Sequence, residues 1–94
     1  MPVTVVLPGA LRQFSGGESS IQVPLAEGAS LADLLDAVAA SHPALIRRLR
    51  DEQGGLRRFV NVYVDGEDAR MAGGLAAPVP AGAEVLVLPS VAGG

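Results

Sequence analysis

The sequence predicts one α+β domain, a sheet with a single main helix laid across one face. Three observations carry that prediction. Four short runs rich in apolar and β-branched residues stand at residues 3–7, 21–25, 60–64 and 84–88. One stretch, opening at Ser30, repeats apolar residues at helical spacing and requires another surface to cover them. Glycine and proline pairs punctuate the segments between. At 94 residues the chain holds one domain, residues 1–94, with no second core.

Each element follows from its residues. Val3-Thr4-Val5-Val6-Leu7 is a first strand, ended by Pro8-Gly9; residues 8–17 read as a loop. Residues 21–25 form a second strand with Ile21, Val23 and Leu25 on one side, and Pro24 places it at a sheet edge. Ser30 caps the helix, with Asp33 three residues on; Leu31, Leu34, Leu35 and Val38 make its buried stripe. Pro43 disfavours helical geometry at His42, so the helix ends there, and a short second helix carries Leu45, Ile46 and Leu49 inward until Gly54-Gly55. Residues 60–64 are a strand, Asp65-Gly66 a tight hairpin turn, and residues 67–70 a short return strand. Gly73-Gly74 and residues 78–82 are loops. Residues 84–88 form the last strand, whose unbroken apolar character predicts a central place covered on both faces. The expected core is Val3, Val5, Ile21, Val23, Leu34, Leu35, Val38, Val60, Val62, Val85 and Val87.

Composition excludes several functions. There is no cysteine and only one histidine, His42, which leaves no disulfide framework, thiolate nucleophile or Cys/His metal site. The serines have no second histidine to serve a triad, and Glu67-Asp68 fits a solvated hairpin end better than an acid/base pair. Neither glycine pair has the spacing of a phosphate loop. Net charge is −3, and the three aromatic residues are too few for a base-stacking platform, so nucleic acid is not expected as a partner. No apolar run approaches the roughly 20 residues that cross a bilayer, and the N-terminus lacks a signal peptide's features; a cytoplasmic protein that binds no membrane is expected. Arg47, Arg48, Arg50, Arg57 and Arg58 crowd one window. They read either as a solvated face with acidic neighbours such as Asp51 and Glu52 or as a docking patch.

The candidate reactive group is therefore the C-terminal carboxylate. Val91-Ala92-Gly93-Gly94 follows the last apolar run almost directly, and residues 89–94 read as a flexible tail. Two glycines, lacking Cβ atoms, let that carboxylate enter a narrow cleft. An activated terminal carboxylate offers its acyl carbon to a nucleophile. Alternation sends Leu86 and Leu88 to the face opposite Val85 and Val87, where Tyr63 joins them. The three are expected to form an apolar surface for a partner near the tail, unless the chain's own loops cover them.

Three segments together resemble a known family: Phe59-Val60-Asn61-Val62-Tyr63-Val64-Asp65-Gly66-Glu67-Asp68, Gly73-Gly74-Leu75, and Leu88-Pro89-Ser90-Val91-Ala92-Gly93-Gly94. The chain resembles the ThiS/MoaD group of ubiquitin-like sulfur carriers over nearly its whole length. The Arg-Phe-Val-Asn-Val-Tyr-Val segment favours the actinobacterial cysteine-biosynthesis branch. The resemblance implies a β-grasp fold, a mixed sheet of four to five strands holding one helix. It also implies that Gly94 is adenylated by an ATP-using activating enzyme and converted to a thiocarboxylate. In that branch a pyridoxal-phosphate-dependent, cysteine-synthase-like enzyme accepts the sulfur and a zinc metalloprotease releases the amino acid. The resemblance further implies that the chain itself binds no cofactor or metal and is not an enzyme. Alternatives are a carrier that gives its sulfur to a different acceptor synthase for a related thio-metabolite such as a thiosugar, the small subunit of molybdopterin synthase, a modifier joined through Gly94 to lysines of targets, and a plain binding module.

Overall fold

The computed structural model describes residues 1–89. Strands β1 (Val3–Val6), β2 (Ser20–Val23), β3 (Val60–Val64), β4 (Glu67–Asp68) and β5 (Glu84–Pro89) form one sheet in the order β2-β1-β5-β3-β4. The central pair β1/β5 is parallel, and every other pair is antiparallel. Helices α1 (Gly9–Arg12), α2 (Leu31–Ser41) and α3 (Pro43–Leu49) and two 3₁₀ turns, Ala69–Ala72 and Gly74–Ala76, complete the described chain. This is the β-grasp arrangement, with β2 at the edge and β5 in the centre as their residues predicted.

Helix α2 forms where the sequence placed it. Asp33 N donates to Ser30 Oγ and Ser30 N to the Asp33 carboxylate, closing the capping box. Leu31, Leu34, Leu35 and Val38 turn inward, and α3 adds Leu45, Ile46 and Leu49. Pro43 is the first residue of α3, so His42 serves as the joint between the two helices. Every residue of the expected core is buried on this face of the sheet. Asp65, at φ 49°, and Gly66, at φ 85°, make the β3–β4 turn that their dipeptide predicted.

Five expectations need correction. Residues 8–17 are not all loop: α1 forms because Pro8 presets the backbone at its start and Leu11, buried in the core, holds the turn down. Strand β2 stops at Val23, where Pro24 interrupts the ladder. Strand β4 keeps two residues, since Asp68 accepts a bond from Arg70 N and starts a 3₁₀ turn. Gly73-Gly74 likewise lead into a 3₁₀ turn. Strand β5 is central but covered on one face only; Val85 and Val87 are fully buried while Leu86 and Leu88 are not.

Candidate functional site

Strand β5 delivers the chain to the rim of the sheet. Its last residue, Pro89, pairs with Val60, so Pro89 belongs to the strand and not to the tail expected from 89 onward. Proline has no amide hydrogen, and Val60 N donates to the Arg57 carbonyl at 3.0 Å, so the ladder ends at this pair. The expected reactive residue Gly94, with Gly93, Ala92 and Val91, lies outside the described residues.

One side of Pro89 is apolar. On the open face of the sheet, register sets Tyr63 opposite Leu86, and Leu86 beside Val6 of β1. Leu88 follows on the same face and is 37% exposed. Tyr63, Leu86 and Leu88, with Gly66 and Glu84, line a shallow hollow of about 310 Å³. The structure thus brings together the three residues expected to form a surface, and none of the described loops buries them. Val6 was missed. Its alternation with Val5 was legible, but only the parallel β1–β5 register shows that it extends this stripe.

The other side of Pro89 is basic. Arg47 and Arg48 of α3, Arg57, Phe14 and Phe59 surround an open hollow of about 440 Å³ that Pro89 also lines. The Arg48 guanidinium stands 4.5 Å above the centre of the Phe14 ring. Arg57 Nε donates to the Arg47 carbonyl at 3.1 Å. The acidic neighbours expected for the arginines are elsewhere engaged or absent: Asp51 accepts from Gln53 N and Gly55 N. Among the described residues, the salt bridge joins Arg50 to Asp36 at 2.7 Å. Sequence proximity failed here because a loop carboxylate can satisfy its own backbone before it reaches a side chain.

The remaining candidates are structural. Ser15 is buried, with Oγ 2.8 Å from the Glu18 carbonyl and 3.0 Å from that of Arg12. The ring of His42 lies 2.8 Å from Ser41 Oγ at the helix joint. Glu67 is exposed at the hairpin end. Among the described residues no cluster of three His, Asp or Glu could hold a metal ion, and no helix is long and apolar enough to cross a membrane.

Comparison with known proteins agrees in sequence and in shape. The sequence pattern of the ThiS family matches residues 5–94. Sulfur carrier protein CysO of Mycobacterium tuberculosis is 42% identical over 96 aligned residues, which cover the whole of both chains. A chain in the crystal structure of the Amycolatopsis orientalis BexX/CysO complex superimposes with a TM-score of 0.84 at 44% identity, covering 98% of this chain and 99% of that one. The crystal structure of SAMP1 from Haloferax volcanii also gives a TM-score of 0.84, at 30% identity, with both chains covered completely.

Proposed function

Because the chain belongs to the ThiS family, we propose that it is a sulfur carrier for cysteine biosynthesis, with the Gly94 carboxyl as the group that is loaded. The observation that carries this reading is the full-length likeness to CysO, together with a family match that runs through Gly94 itself. A carboxylate oxygen of Gly94 attacks the α-phosphorus of ATP, pyrophosphate leaves, and an acyl-adenylate forms on an activating enzyme. A sulfur nucleophile then attacks the acyl carbon and AMP departs, leaving a thiocarboxylate. The chain supplies no catalytic group. The five residues beyond Pro89 span at most about 18 Å, enough to reach from the rim of the sheet into a partner's cleft. The folded body is the handle by which each enzyme recognises the carrier: the activating enzyme, the cysteine-synthase-like acceptor and a releasing zinc metalloprotease. ATP belongs to the activating enzyme.

Incubation with ATP, the activating enzyme of the same organism and a sulfide source tests this directly. Intact-protein mass spectrometry is expected to show one oxygen replaced by sulfur, with C-terminal fragments placing it at Gly94. Deleting Gly94 is expected to leave folding intact and abolish the product, because the reacting carbon is misplaced. An unmodified wild-type carboxylate, with an enzyme active on another carrier, overturns the reading. The likeness to SAMP1, a protein named a small archaeal modifier, favours one second reading, in which a lysine amine takes the acyl carbon. In the same assay with cell extract that reading requires conjugates of higher mass, and thiocarboxylate without conjugates rejects it.

A further inference from the structure

We infer that the basic hollow at the root of the tail is a docking site for an acidic segment of the enzyme that activates Gly94. The inference rests on the carrier reading and adds a second recognition surface to it, across Pro89 from the apolar stripe. Arg47 and Arg48 occupy the last turn of α3, where cations are favoured by the helix dipole. Stacking on Phe14 holds the Arg48 guanidinium in place. Arg57 is held through the Arg47 carbonyl, and Arg70 braces the same loop by donating to the Arg57 carbonyl at 2.9 Å and to Asn61 Oδ1 at 3.1 Å. Two of the three cations, Arg48 and Arg57, are thus set in advance, and the exposed Arg47 stands beside them, so less side-chain freedom remains to be lost on binding.

Charge identifies the occupant. The chain as a whole is −3, yet among the described residues no carboxylate stands within 4 Å of these three guanidinium groups; the one ion pair joins Arg50 to Asp36. Local positive charge on an acidic molecule steers and aligns an acidic partner. Phe59, 50% exposed, adds an apolar wall beside the cations. Guanidinium groups bind phosphate as well as carboxylate, but the hollow presents the C-terminal turn of α3, whose dipole end is negative and opposes a doubly charged phosphate more than a single carboxylate. A carboxylate side chain next to an aliphatic or aromatic one fits both the charge and the wall. Pro89 lines the hollow, so the site adjoins the last described residue before Gly94 and lies within reach of an enzyme that takes the terminus.

Calorimetric titration of the full chain with the activating enzyme tests the site. Wild-type affinity is expected to fall roughly tenfold between about 50 and 300 mM salt. The R47E/R48E variant is expected to bind roughly tenfold more weakly at low salt and to lose the salt dependence. Thermal denaturation checks that the variant folds. Should the double reversal unfold the chain, Arg57→Gln leaves α3 intact and is expected to weaken binding roughly threefold. Undiminished affinity of a folded variant, alongside normal adenylation of the wild type, overturns the docking site and leaves the carrier reading standing. A wild-type chain that is neither bound nor adenylated removes the carrier reading and the docking site with it. ATP alone, titrated while the Arg Nε signals are followed by NMR, is expected to leave Arg48 and Arg57 unmoved; a saturable shift assigns the hollow to a nucleotide and overturns the proposal. So does movement of those signals on amidation of Gly94, which removes the terminal charge without touching Pro89 and assigns the hollow to the chain's own tail.

Discussion

Ser30 holds the start of α2 through two bonds that never leave its own turn: one accepted from Asp33 N at 3.2 Å, one donated by its own amide to the Asp33 carboxylate at 2.9 Å. Ser30→Ala removes the first and is expected to cost about 1 kcal/mol. In a domain of this size that lowers the melting temperature by about 4–8 °C, measurable by circular dichroism; an unchanged midpoint rejects the cap. The pairing was legible because both partners lie within four residues. Arg50 and Asp36, fourteen residues apart, were not. Nothing local selects Asp36 over the adjacent Asp51, and the choice follows from where α2 and the loop after α3 come to rest.

At the scale of elements, burial decides. Leu35 sits in the middle of the α2 stripe and is 2% exposed. Leu35→Ala removes buried methyl groups and leaves a cavity, an expected cost of about 2–4 kcal/mol in urea unfolding. A loss under about 0.5 kcal/mol is what a surface position gives and contradicts this packing. The long periodic elements were readable because apolar spacing directly records which face is covered. The short ones were not. The α1 turn has four residues and β4 has two, too few for a period to repeat, and each exists because a neighbour holds it: the core under Leu11, and the edge of β3 beside Asp68.

The whole molecule presents two different sheet faces. One is sealed by α2 and α3; the other exposes Val6, Tyr63, Leu86 and Leu88 as a partly open apolar stripe leading to Pro89. Apolar stripes of this kind mark partner surfaces. Leu88→Asp places a charge there without disturbing the core, so thermal stability is expected to hold while affinity for the activating enzyme falls roughly tenfold or more. Unchanged affinity in the titration counts against this face. Together with the Arg47 and Arg48 reversal, the variant separates the two sides of the tail root: one loses affinity at every salt concentration, the other chiefly at low salt.

Local chemistry written in consecutive residues determined the helix start, the hairpin turn, the core-facing positions and the candidate reactive terminus. Those properties depend on period, caps and backbone freedom, all short-range. Tertiary structure alone decided three others. It left the second face of β5 open, since a run of apolar residues reads the same whether one side is covered or two. It set Val6 beside Leu86 through a parallel register between strands separated by most of the chain. It gathered Arg47, Arg48 and Arg57 around Phe14 and Phe59, next to the last paired residue of β5. Each is a relation between distant segments, and such relations exist only once the hydrophobic core has fixed how the segments meet.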